Sequence, residues 1–173
     1  MHNILVNTET QDLQIIDWGL SEYYQMNCPY NLKVSTKSYK APELILGYQY
    51  YDYSLDIWWI AILFAEILLN KLPLINWQDS KDQLYKLIKL LGYKEFKKFT
   101  TTYNIKNPFE IKEPLKKWEP IDFRTLFPEE REEFIDDQAL DLLKNIFRFD
   151  KQERLTAKEA LEHPYFIGIE ELL

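Results

Sequence analysis

The chain has 173 residues, with 21 Lys and Arg against 28 Asp and Glu, and its net charge of −7 argues against a general nucleic-acid binder. Apolar residues at 46% and aromatics at 16% exclude a disordered chain, and the length suffices for one domain with a sizeable core. Four glycines leave no room for a glycine-rich phosphate loop, and a single cysteine, Cys28, excludes an internal disulfide framework and fits a reducing compartment.

In chain order, "ILV" at 4–6 and "LQII" at 13–16 are short β-rich runs around the polar turn "NTETQD", the pattern of a small hairpin. No periodicity follows from Leu20 to Lys40, which predicts a long loop, and such loops in compact domains tend to carry function. Pro42 suits the first turn of a short helix in "APELIL". Ser54 is placed to N-cap a helix running to about Asn70, whose "LDIWWIAILFAEILL" is apolar nearly all round and predicts a central, buried position.

Ser80 and Gln83 form a capping-box pattern before "LYKLIKLLG", with Gly92 as the C-cap. A further short helix is expected at 94–102, and 104–134, with Pro108, Pro114, Pro120 and Pro128, reads as irregular. "DDQALDLLKNIFRF" is amphipathic, and "LTAKEALEHPYF" opens on Thr156 and Glu159 as a second capping box. The expected fold is mainly α, fronted by one β-hairpin and a long loop.

No signal peptide is visible in "MHNILVNTE", and "IWWIAILFAEILL" is too short to span a bilayer and is interrupted by Glu66. A soluble intracellular protein, cytoplasmic and/or nuclear, with no membrane or nucleic-acid partner, is expected. Charge is uneven within that frame. Residues 129–137 carry six acids and one Arg, residues 81–99 carry six Lys and two acids, and from Leu32 to Lys40 the only charges are Lys33, Lys37 and Lys40.

The chemistry-bearing residues lie at the two ends of the long loop. A strand runs into Asp17-Trp18-Gly19, and Ala41-Pro42-Glu43 precedes the helix. Asn3 lies fourteen residues before Asp17. This order and spacing resemble the second half of the protein-kinase signature set. The resemblance implies that Asn3 and Asp17 ligate Mg²⁺, which neutralises the charge of a transferring γ-phosphoryl group, with ATP as donor.

It also implies that Glu43 pairs with an Arg late in the domain, which "QERLTAKEALEHPYF" supplies as Arg154. Asp56, a charge among Leu55, Ile57 and Trp58, is expected to be hydrogen-bonded. In kinases the corresponding Asp holds the backbone of the catalytic loop.

Trp18, where most kinases have Phe, resembles the casein kinase II catalytic alpha family. "IDWGLSEYY", "YQYYDYSLDIW", "YNIKNPFEI" and "RLTAKEALEHPYF" are similar to that family's corresponding stretches, and the likeness runs over essentially residues 1–173. It implies a serine/threonine kinase acting near acidic residues, with Leu5 and Ile16 as the apolar floor under adenine and Lys33, Lys37 and Lys40 reading acidic protein substrates. Two of those three positions are typically Arg in the family, and Lys lacks its bidentate fork.

The family's catalytic base falls upstream of Met1, as do the small lobe and the helices that flank the central helix, so the expectation is a truncated large lobe with an apolar patch exposed. A regulatory subunit would be a partner only alongside a small lobe. Trp59 and Ala61 stand where the family prefers a small polar residue and Gly, and overpacking at such sites costs roughly 1–3 kcal/mol. Two function classes remain: an MgATP-dependent kinase, or a non-catalytic kinase-derived fragment that binds as a decoy or scaffold.

Overall fold

A computed structural model describes residues 3–128 and 135–168. Residues 129–134, most of the acidic run at 129–137, lie outside the described residues. Among the described residues the architecture is mainly helical: six α-helices with a two-stranded antiparallel sheet at the N-terminal end.

Strands β1 (Ile4–Val6) and β2 (Leu13–Ile15) pair in the register Ile4 to Ile15, Leu5 to Gln14 and Val6 to Leu13. The Ile16 N–H adds a bond to the Asn3 carbonyl at 2.9 Å, so the pairing extends to the two residues that frame the Asp17 turn. The hairpin packs little of itself away. Leu5, Val6, Leu13 and Ile15 are each half or more exposed.

Helix α1 (Pro42–Ile45) opens on Pro42, whose missing N–H is one that the first turn leaves unpaired anyway. Helix α2 (Ser54–Leu69) is the core element. Ser54 is not its cap, because Tyr53 occupies that position and the Ser54 N–H donates instead to the Asp52 carboxylate at 3.0 Å. An aspartate two residues earlier outcompetes the serine hydroxyl. At the other end Asn70 adopts the left-handed conformation (φ 48°) that closes a helix.

Burial along α2 is one-sided despite its apolar composition. Trp58, Ala61, Ile62 and Ala65 are buried, whereas Ile60 and Ile67 are more than half exposed. The overpacking expected at 59 and 61 resolves differently at each position. Ala61 is fully enclosed, while Trp59 is half-buried against the core, its indole N–H enclosed and unpaired among the described residues.

Helices α3 (Ser80–Leu91) and α4 (Tyr93–Thr102) form a corner at Gly92. The cap of α3 is Asp79, which accepts from the Asp82 N–H at 2.8 Å, so the expected Ser80–Gln83 box is absent. Gln83 is buried and donates to the Lys40 carbonyl at 3.3 Å. Gly92 has φ 91°, and a Cβ there would lie 2.7–2.9 Å from the Pro120 ring, so only glycine permits this corner.

The irregular stretch holds two 3₁₀ turns, Leu115–Lys117 and Phe123–Leu126. Helix α5 (Asp137–Ile146) packs against α2, with Phe147 just beyond it 4.5 Å from Trp58 ring to ring. Helix α6 (Ala157–Leu161) carries the predicted capping box: the Glu159 carboxylate accepts from the Thr156 N–H at 2.7 Å and Thr156 Oγ1 accepts from the Glu159 N–H at 3.2 Å.

Candidate active site

The turn after β2 presents Asp17 at φ 61°, a left-handed conformation uncommon for a non-glycine residue and tolerated best by Asp and Asn. Two neighbours hold it. The Trp18 indole N–H donates to the Ile15 carbonyl at 3.1 Å, which gives the indole in place of a phenyl ring a physical role in closing the turn. Gly19 leaves space for the carboxylate, since a Cβ there would approach Asp17 Oδ1 at 3.3 Å. Asn3 Nδ2 donates to Asp17 Oδ2 at 3.4 Å, so the hairpin brings together two side chains fourteen residues apart in sequence.

Leu5 and Ile16 lie on the same hairpin face as Asn3, by the alternation of strand side chains. Neither is core: Leu5 is 50% and Ile16 39% exposed. They form an open apolar surface beside the amide and the carboxylate.

The loop from Leu20 to Lys40 is ordered by tyrosines. The Tyr30 side chain is buried; its hydroxyl accepts from the Gln25 N–H and donates to the Gln25 carbonyl at 3.1 Å. Its backbone N–H donates to the Gln49 carbonyl at 2.9 Å, and Gln49 Nε2 returns a bond to the Tyr30 carbonyl at 3.1 Å. The Tyr51 hydroxyl donates to the Asn31 carbonyl at 2.6 Å, and the Tyr30 and Tyr51 rings meet at 5.3 Å. Downstream of this anchor, Lys33 and Lys37 are exposed and Lys40 half-buried, and none of the three has an ion-pair partner among the described residues.

The loop's far end is fixed by two buried carboxylates. Glu43 and Arg154 are fully enclosed and meet in a bidentate pair, Nη1 to Oε1 at 2.8 Å and Nη2 to Oε2 at 2.9 Å. The other three guanidinium donors reach the carbonyls of Ser54 (3.0 Å), Phe149 (3.2 Å) and Arg148 (3.0 Å), so all five are used. The guanidinium also lies 4.9 Å from the Trp58 ring centroid.

Glu66 on α2 is the second carboxylate. It accepts from the Tyr39 hydroxyl at 2.7 Å and from the Leu74 N–H at 2.9 Å. Burial, then this hydrogen bond, push the Tyr39 hydroxyl up to about 12. In the sequence Glu66 stands only as an interruption of an apolar run, although an acid inside such a run is itself the signal of a buried polar contact.

Asp56 differs from the expectation. It is exposed, and its carboxylate accepts no hydrogen bond among the described residues. Partial desolvation of the carboxyl, on a residue whose surface is otherwise open, nevertheless holds it above the usual range. The carboxylate that α2's first turn does engage is Asp52, paired with Lys151 at 2.6 Å. Burial pushes Asp52 up, but its bonds from Lys151 and Ser54 outweigh that and leave it below the usual carboxylate range.

The model of the protein kinase domain family matches residues 1–166. The chain belongs to the protein kinase domain family. Protein kinases are ATP-dependent transferases that use Mg²⁺, and the residues of the Asp17 turn fit that ion. Mg²⁺ takes one or two protein oxygens and fills its octahedron with water and phosphate. The exposed Asn3 amide and Asp17 carboxylate offer two oxygens in the open, and the described residues hold no group of three His, Cys, Asp or Glu that would form an all-protein cage. No described helix is long and apolar enough to cross a membrane.

Proposed function

We propose that residues 1–173 form the large-lobe portion of a serine/threonine kinase of casein kinase II alpha type, with MgATP as phosphoryl donor and acidic proteins as substrates. The observation that carries the reading is the Asp17 turn: a carboxylate presented from a left-handed backbone position that Trp18 and Gly19 accommodate, with the Asn3 amide against it. Magnesium bound there would neutralise the charge of the transferring phosphoryl group. Asn3 and Asp17 hold the ion, and the exposed Leu5 and Ile16 offer an apolar platform to the adenine. Glu43, Arg154, Glu66 and Tyr39 fix the end of the loop, so that Lys33, Lys37 and Lys40 meet the substrate from a defined backbone.

Three lysines without an ion-pair partner among the described residues, in a chain of net charge −7, support the acidic preference. Each partly exposed attraction should contribute on the order of 1 kcal/mol and weaken with salt. The test is a chimera in which these residues follow a working small lobe and catalytic loop. It should phosphorylate Ser or Thr followed by Asp or Glu in preference to the same peptide with Lys. Replacing Lys33, Lys37 and Lys40 together by Glu should reduce that preference while sparing ATP hydrolysis, and equal rates on both peptides in the unmutated chimera would refute it.

The open apolar hairpin favours a second reading, a kinase-derived binding module. A chimera with no phosphotransfer at all, whose chain still binds acidic peptides, would favour that one.

A further inference from the structure

A cavity of about 650 Å³ lies outside the site described above, where five segments of the chain meet. Its walls are the end of α3 with Leu90, the start of α4 with Glu95, residues 120–123, one face of α5, and residues 147–149 with Glu153. The size falls within the range of about 300–1,000 Å³ usual for small-molecule sites. No residue of the hairpin or of the long loop lines it.

The floor is aromatic. Phe123, Phe147 and Phe149 are buried beneath the opening, with the Phe123 and Phe147 rings 6.1 Å apart. Phe147 packs on Trp58 at 4.5 Å, and the carbonyls of Arg148 and Phe149 accept from Arg154. The back wall is therefore anchored by the guanidinium that also holds Glu43.

The rim decides what that floor can take. Asp137 is paired with Arg124, Asp141 with His163 at 3.0 Å, and Glu153 with Lys98. Arg148 donates Nε to the Lys144 carbonyl at 3.2 Å and Nη2 to Asn145 Oδ1 at 2.7 Å. Three charged wall residues have no ion-pair partner among the described residues: Glu95, Asp122 and Lys144. The Asp122 carboxylate accepts only the Arg124 N–H, at 3.0 Å on Oδ1. Two open carboxylates against one ammonium leave a rim that is rich in acceptors and net negative. An anion would be repelled there, and a neutral hydrocarbon would displace water from the carboxylates without supplying a donor. An apolar ring carrying a cationic N–H head matches both floor and rim.

We propose that this cavity binds a small amphipathic organic cation, its ring on the three phenylalanines and its ammonium toward the carboxylates of Glu95 and Asp122. The proposal stands apart from the phosphoryl-transfer reading, because no wall residue takes part in it.

The test uses one apolar body with three heads: phenylbutylamine, an ammonium at neutral pH, phenylbutanol and phenylbutyrate. Each is titrated into the nitrogen-15-labelled 173-residue chain, and the five indole N–H resonances are followed after assignment by Trp→Phe substitution. Trp58 reports on the floor through Phe147, and the exposed Trp18 reports on the hairpin. The amine should shift Trp58 and leave Trp18 in place, with a dissociation constant about fivefold below the alcohol's, and the butyrate should bind more weakly than either.

Glu95→Gln with Asp122→Asn keeps an oxygen for the Arg124 N–H, removes both open charges, and should bring the amine to the alcohol's affinity. Glu9→Gln with Asp12→Asn removes the same charge at the exposed hairpin turn and should change nothing. Leu140→Trp, half-buried in the α5 wall, should fill the cavity and weaken all three probes. Every variant is checked for a cooperative thermal transition, and the charge variants decide the matter alone if Leu140→Trp does not fold. Equal affinity for butyrate and amine, an unchanged amine affinity without the two charges, or an equal loss in the hairpin control would overturn the site. Shifts confined to Trp18 would do the same, by placing the probe on the apolar hairpin. So would an unmoved Trp58 up to ~20 mM amine, above the millimolar affinity that a ligand of this size reaches.

Discussion

Replacing Glu43 by Gln keeps the size of the side chain and removes its charge at a fully enclosed position. Arg154 would keep its bonds to Ser54, Phe149 and Arg148, but the amide offers one oxygen where the carboxylate offered two. The amide nitrogen then faces an Nη donor, so one guanidinium N–H is left without an acceptor and the charge without an anion. Breaking one side of a buried pair costs about 3–5 kcal/mol. For a chain of this length each kcal/mol moves the midpoint by about 2–4 °C, so Tm should fall by roughly 6–20 °C.

Urea unfolding followed by tryptophan fluorescence measures the same loss as a lower midpoint at unchanged slope. Arg154→Met alone should cost a similar amount, because it strands the carboxylate. The double variant, Glu43→Gln with Arg154→Met, should cost less than the sum, since no unpaired charge remains. A single Glu43→Gln loss below about 1 kcal/mol, or strict additivity in the double variant, would refute the assignment of this pair as a buried clamp.

Tyr39→Phe should destabilise the chain by about 1–3 kcal/mol, because Glu66 keeps its burial and loses one of its two donors. The folded state holds the Tyr39 proton up to about 12, so the wild-type chain should lose stability as pH rises from 10 toward 12, and the Phe variant should lack that component of the slope in denaturant titrations. Gly92→Ala should cost about 1–3 kcal/mol or more, through the clash with Pro120 and the positive φ, seen as a lower urea midpoint. Asp56→Asn should stabilise the chain at neutral pH. The raised carboxyl means that stability falls as pH rises through its folded-state value, and the variant should flatten that part of the pH–Tm profile.

Much of the fold was legible in the sequence because the signals were local. The hairpin followed from two β-rich runs about a polar turn, and the Thr156–Glu159 box from residues three apart. The errors were local too, but competitive. Ser54 and Ser80 are reasonable caps in isolation, and each lost to an aspartate within two residues, Asp52 and Asp79, whose charged oxygens are the better acceptors for a helix's first N–H groups. The clamp between Glu43 and Arg154 spans 111 residues, and no local pattern carries that distance. It was reached only through the family resemblance. Glu66 and Tyr39 were missed because their partnership lies in the packing of the loop against α2, which the sequence shows as one acid in an apolar run.

The acids around α2 explain why that helix is buried on one side alone. Glu43, Glu66 and Asp52 each sit where a chain segment returns with a donor: Arg154, Tyr39 and Lys151. Each returning segment covers the face it bonds to, and Trp58, Ala61, Ile62 and Ala65 lie beneath that cover. Asp56 has no such donor among the described residues, and Ile60 and Ile67, one and three turns further along the same side, are exposed with it. Apolar composition alone would have buried α2 all round. The distribution of its polar partners decides which face the loop, α5 and the Arg154 segment cover, and therefore where the lysine-bearing loop is held.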